Sequence, residues 1–163
     1  MRKLKIYLET TVFNRYFEPE SKHHEETLML FEEIAAGKFE VYTSVYVIEE
    51  LSKTADEVKR NAMLELLNRN CAGVFDRSEE TDALAWQYAL HDIISEKHRY
   101  DRWHIACAAV NAMDAIVSYN FTHINRLSTK EKTRLVNQLN GYPVVSIIQP
   151  LEVIGNDIRS IQG

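Results

Sequence analysis

Four polar residues stand where apolar segments stop, and together they suggest a chemistry. Glu9 follows the strand-like run "IYL", and Glu50 sits in the otherwise apolar helix pattern "SVYVIEEL". Asp101 opens the alanine-rich "DRWHIACAA", and Asn120 ends "AIVSYN". Three carboxylates brought together repel one another, and their pKa values rise unless a divalent cation neutralises them. An oxygen-rich cluster of this kind suits Mg²⁺ or Mn²⁺, which keep several waters and commonly meet phosphates. The chemistry that follows is phosphodiester hydrolysis by a water that the cation activates. Singly, each acid has a commoner explanation: Asp101 as a helix N-cap, Glu50 as a rim residue paired with Lys53, Glu9 as a solvated strand end. Only their convergence in space would make a site.

Convergence requires a fold that gathers strand ends. "KLKIYL" alternates with period two and reads as a first strand. "HHEETLMLFEEIAAGK" places Leu28, Phe31, Ile34 and Ala35 on one helical face, with Gly37 as its stop. "FEVYTS" is a second strand, and Ser44 can cap the helix that follows. Asp56 caps a further helix with Val58, Ala62, Leu66 and Leu67 as its buried stripe, and "CAGVF" is a short strand. Ser78 begins a helix with Leu84 and Tyr88 inward; "DRWHIACAAVNAM" is the next, and its alanines suit close packing on a sheet. "DAIVSY" reads as a strand, "STKEKTRLVNQLN" as a polar helix and "YPVVSII" as a last strand. Alternating strands and helices predict an α/β sandwich, three layers deep, around a mostly parallel sheet. Such sheets bind ligands beyond the carboxyl ends of their strands, where the four polar residues fall.

Bulk properties narrow the partners. A chain of 163 residues fits one domain, expected over residues 1–154 with a loose tail at 155–163. The net charge of −5 argues against a protein that holds nucleic acid mainly by neutralising phosphates. Cys71 and Cys107 have no metal-ligand spacing and read as thiols of a reducing compartment. With no signal peptide and no run long enough for a membrane span, the expectation is a cytoplasmic protein with no membrane contact.

At these residues the chain resembles PIN domains, in particular the single-domain ribonucleases that serve as VapC-type toxins. "YLETTVFN" is similar to the family's opening strand and Asp-Thr-Ser motif, "SVYVIEEL" to the helix with its second acid, "DRWHIACAA" to the helix with its third, and "AIVSYNF" to its fourth strand. The resemblance spans about residues 3 to 148. It implies a metal-dependent endoribonuclease with Mg or Mn held by Glu9, Glu50 and Asp101, and with Asn120 at the fourth acidic position. Thr10, Thr11 and Ser118 match hydroxyl positions near that site. The chain departs from the family at Glu9, one methylene longer than Asp, and at Asn120; His123 falls where other members supply the fourth acid three residues later. The resemblance further implies RNA as substrate, an antitoxin protein as partner and a homodimer.

Arg15 and Arg102 are candidates for RNA phosphate contacts, with Lys53 a weaker third and a plain surface charge as the alternative for each. Tyr16 or Phe17 could stack an unpaired base. His104 reads as a packed or surface imidazole, and His23 and His24 as part of a solvated helix start. A competing class of function is a catalytically weak PIN fold that binds RNA or a protein. Two acidic α/β alternatives lack their signatures: "IYLETT" has neither the paired acids of a receiver domain nor the Asp-x-Asp of a haloacid dehalogenase-like phosphatase.

Overall fold

The sheet is built from strands too apolar to face water on either side. In the computed structural model, which describes residues 2–155, β1 (Leu4–Leu8) lies at the centre, flanked by β2 (Phe39–Ser44) and β4 (Ala115–Val117). The edges are β3 (Gly73–Phe75) and β5 (Ser146–Ile148), giving the order β3-β2-β1-β4-β5. All four pairings are parallel, with Ile6 opposite both Val41 and Ala115, and Ile116 opposite Ile147. Ile6, Tyr7, Leu8 and all of β4 are fully buried, as expected of strands covered on both faces. The alternation read in "KLKIYL" therefore does not mark a solvent face: Tyr7, nominally on the polar side, is interior.

Parallel strands need crossovers, and these set the layers. The chain runs from β1 outward through α1 (Thr10–Tyr16) and α2 (His24–Ala35) to β2, then through α3 (Val45–Ser52) and α4 (Glu57–Asn70) to β3. It returns past β1 through α5 (Glu79–Leu90), a 3₁₀ turn at Glu96–His98 and α6 (Arg99–Val110) to β4, and through α7 (Leu127–Leu139) to β5 and the short α8 (Pro150–Val153). Because crossovers are right-handed and the direction of travel reverses after β3, α1 to α4 cover one face and α5 to α7 the other. Contacts agree: α1, α2 and α3 each pack on α4, and α5 packs on α6 and α7. The result is a doubly wound three-layer α/β/α sandwich, and the reversal places a crevice between the carboxyl ends of β1 and β4.

Local signals act where the sequence places them. Ser44, Asp56 and Ser78 are N-caps whose side chains accept from the backbone N–H groups of Tyr46, Lys59 and Thr81. Gly37 follows α2 at φ +78°, a left-handed conformation that costs glycine little. The buried stripes differ in detail. On α2, Thr27, Leu30, Phe31 and Ile34 face the core, while Ala35 is exposed and Leu28 half-buried. On α4 the stripe is Met63, Leu66 and Leu67, and Val58 is 80% exposed. Helix α1 is not predicted by periodicity. Its seven residues include the β-branched Thr10, Thr11 and Val12, poor helix formers, and it is held by burial of Val12 and Phe13 and by capping from Glu9. Most of the tail expected from residue 155 lies outside the described residues. Among those described, no helix is long and apolar enough to cross a membrane.

Ile6, wholly buried between two neighbouring strands, tests the core. Ile6→Ala is expected to lower stability by about 2–5 kcal/mol, read in urea denaturation as a lower midpoint with an unchanged slope.

Candidate active site

Glu9 is the first residue beyond β1 and is only 2% exposed. Its backbone N–H still donates to the Val117 carbonyl of β4, so its side chain enters the crevice from a fixed strand end. Oε1 accepts from the Thr11 and Ser118 hydroxyls, both at 2.6 Å, while the Thr11 backbone N–H reaches Oε2 at 3.3 Å. Thr11 in turn accepts from the Tyr119 N–H at 2.8 Å, tying the start of α1 to the end of β4. Glu50, on α3, is held by one oxygen as well: Oε1 accepts from Thr10 Oγ1 at 2.6 Å and contacts His104 Nε2 at 2.5 Å. Thr10, Thr11 and Ser118, the hydroxyls expected near the site, thus orient the carboxylates.

His104 is the residue the sequence reading missed. It is fully buried on α6; its Nε2 meets Glu50, and its Nδ1 meets the Tyr7 hydroxyl at 2.7 Å. Tyr7 also bonds Ser44 Oγ at 2.6 Å, the same oxygen that caps α3. A buried chain therefore runs from the cap of α3 through Tyr7 and His104 to Glu50. Candidate ligand atoms of Glu9, Glu50 and His104 lie within 4.8 Å of one another.

The electrostatics follow from a buried acid, Glu9, beside a partly exposed one, Glu50. Burial raises the Glu9 pKa, against the positive pull of His104 and the hydrogen bonds from Ser118 and Thr11. Burial pushes Glu50 upward too, but the hydrogen bond and charge of His104, with Thr10, prevail and hold it below its ordinary value. Burial alone would lower His104; its hydrogen bond to Glu50 and the charges of Glu50, Glu9 and Asp101 raise it instead. Protonated, His104 is the crevice's internal counter-charge. With one cationic group facing three acids, and with the bonds from Thr10 and His104 both on Oε1 of Glu50, the donor set fits a divalent cation.

Asp101 is buried in the first turn of α6, the helix that carries His104. Burial and the Glu50 charge raise its pKa, while His104, the Asn120 amide and His98 oppose the rise. It does not act as an N-cap: His98 occupies that position, without a side-chain cap bond. Its potential ligand atoms group with those of His98 and His123, all three within 4.8 Å, and not with the trio of Glu9, Glu50 and His104. His123 is kept below the ordinary imidazole value by burial and by His98 and Arg126 nearby.

Asn120, expected as a stand-in for an acid, is committed otherwise. Its Oδ1 accepts from the His123 N–H at 3.0 Å, which leaves the NH₂ end to face Asp101. It positions the loop and Asp101 and does not offer its oxygen to the crevice. Arg102 also stands apart, because its guanidinium is buried and bonded to Glu96 on the opposite side of α6. Arg15 is partly buried and paired with Glu18 at 2.7 Å. Both arginines are thus held in ion pairs, and Lys53 lies 4.6 Å over the Tyr100 ring. Tyr16 and Phe17 pack edge to face on one another.

The arrangement, acids at the switch point of a doubly wound sheet, agrees with a family model described as the PIN domain, which matches residues 6–128. The chain belongs to the PIN domain family. Solved structures share the PIN fold at low identity. VapBC2 from Rickettsia felis, bound to a DNA fragment from its promoter, aligns with TM-score 0.55 and 13% identity over 88% of this chain and 97% of that one. VapC20 of Mycobacterium tuberculosis, a toxin that cleaves the sarcin-ricin loop, aligns with TM-score 0.54 and 14% identity over 72% and 91%. Curated protein sequences return no match.

The raised His104 pKa gives a signed expectation. Protonated His104 stabilises the fold below the ordinary imidazole pKa, and that contribution is lost as pH rises through the raised folded value. His104→Gln should therefore destabilise the protein more at about pH 6 than at about pH 9, measured by urea unfolding at both.

Proposed function

We propose that this PIN domain is a divalent-cation-dependent endoribonuclease, with Glu9, Glu50 and Asp101 holding Mg or Mn. The observation that carries the reading is the burial of Glu9 next to Glu50 with a single histidine between them and the protein's other charges. One histidine facing Glu9, Glu50 and Asp101 leaves negative charge in excess, and a purely structural cluster would have that charge paired or replaced. Held in place, the cation would supply Lewis acidity, activating a water and offsetting charge that builds on the phosphoryl oxygens. The chain's own residues do the rest. Thr11 and Ser118 fix the rotamer of Glu9, and Thr10 and His104 fix that of Glu50. Asn120 hydrogen-bonds Asp101. Three strand and helix ends, not mobile loops, carry the acids, so the site is preorganised.

RNA as substrate and a protein antitoxin as partner are supported by the PIN family and by the VapC fold of the neighbours. A net charge of −5 favours a partner that presents basic side chains to the acidic crevice. The untethered thiols fit a cytoplasmic setting, since burial pushes both Cys71 and Cys107 up to about 12 and leaves them unreactive.

The test is cleavage of a mixed single-stranded RNA pool by the full chain with Mn²⁺ or Mg²⁺. Glu50→Gln and Asp101→Asn are each expected to slow cleavage by about a hundredfold or more, as when one preorganised charge-stabilising group is removed. Intact RNA with the wild-type chain under both cations would reject the nuclease reading.

A further inference from the structure

Two imidazoles and a carboxylate meet beside the acidic crevice, from parts of the chain far apart in sequence. His98 ends the 3₁₀ turn that leads into α6, and Asp101 follows three residues later, so the two share the same face at the start of the helix. His123 comes from the loop after β4. The His98 and His123 rings lie 3.9 Å apart between centroids and inclined by only 29°. Potential ligand atoms of His98, Asp101 and His123 fall within 4.8 Å of one another.

The histidine loop is held in place from several sides. The His123 N–H donates to Asn120 Oδ1 at 3.0 Å, and its carbonyl accepts from Thr129 Oγ1 at 2.5 Å. The Ile124 and Asn125 N–H groups both donate to the Asn120 carbonyl. His98 and His123 are half-buried, so an ion can reach them from solvent, while Asp101 is buried behind them. Two stacked imidazoles gain little from one another, and no side-chain cap bond occupies His98 at the start of α6. Turning the rings edge-on to Asp101 would convert the stack into a two-histidine, one-carboxylate face.

We propose that His98, Asp101 and His123 form a second cation site, selective for a borderline divalent metal such as zinc, cobalt or nickel. Imidazole ligands suit these ions, whereas Mg²⁺ prefers an all-oxygen shell that the acidic crevice comes nearer to supplying. Asp101 faces both groups and bridges them. The inference rests on the nuclease reading only at that shared carboxylate.

The experiment is Co²⁺ titration of the full chain, stripped of metal and free of any polyhistidine tag, followed by the visible d–d absorption of bound Co²⁺. His98→Ala and His123→Ala are each expected to weaken binding by about tenfold or more, at least the cost of losing an outer-shell partner of a metal ligand. Glu57→Gln, an exposed position on α4 outside both groups, should leave the spectrum and affinity unchanged. Circular dichroism checks folding, and His123→Gln, which retains the loop's backbone bonds and side-chain bulk, replaces the alanine variant where that one unfolds. Wild-type Co²⁺ affinity in folded His98 and His123 variants would overturn the proposal, even where Mg²⁺-dependent RNA cleavage is intact. Histidine-dependent Co²⁺ binding with uncut RNA would uphold this site while the nuclease reading fails.

Discussion

The structure depends on keeping Glu9 charged, or able to be charged, in a place without water. A carboxylate at 2% exposure beside a second acid is tolerable only with compensation. The compensation is distributed. Two hydroxyls, one from the first turn of α1 and one just beyond β4, converge on one oxygen, a backbone N–H on the other, and His104 stands behind Glu50. Each of these donors is itself fixed. Thr11 is bonded to the Tyr119 backbone, Ser118 accepts from the Asn120 N–H, and His104 is backed by Tyr7 and Ser44. Release of any one of them would leave a buried polar group short of a partner, which is why such networks hold a unique geometry.

Topology supplies the place. The chain winds outward from β1 to β3, then reverses past β1 to β4, so adjacent strands β1 and β4 send their connections to opposite faces. That divergence opens the crevice that Glu9 and Ser118 enter from neighbouring strand ends. Helix α6 closes it from one side with His104 and Asp101, and α3 from the other with Glu50. The alanines of α6 matter here: Ala106, Ala108 and Ala109 are fully buried, which allows the helix to approach the sheet and brings His104 within reach of Tyr7 on β1. A bulkier residue at those positions would lift the imidazole away from the acids.

Much of this was legible in the sequence, for identifiable reasons. Strand and helix order followed from periodicity and from caps such as Ser44, Asp56 and Ser78, which act within a few residues. The acids Glu9, Glu50 and Asp101 were conspicuous because charge interrupts apolar patterns there. What was not legible depends on long-range partners. His104 looks like any helix histidine until Tyr7, 97 residues away, and Glu50, 54 residues away, are seen on either side of it. Arg102 looks available until Glu96 is found across its guanidinium. Helix α1 runs against local propensity and forms because Val12 and Phe13 are needed in the core. Asn120 could have turned its amide either way, and only the His123 N–H decides it.

The departures from the family pattern become intelligible as a redistribution of charge. The sequence lacks a carboxylate at position 120, and Asn120 instead presents its NH₂ end to Asp101, easing the cost of that buried acid where a second carboxylate would have raised it. The longer side chain of Glu9 reaches far enough for one oxygen to meet Thr11 and Ser118 together, leaving Oε2 with only the 3.3 Å contact from the Thr11 N–H. His98 and His123 add imidazole nitrogens at the crevice's edge, while both ring nitrogens of His104 inside it are taken by Glu50 and Tyr7. A site so composed demands less of a hard cation's charge and offers more to one that accepts imidazole.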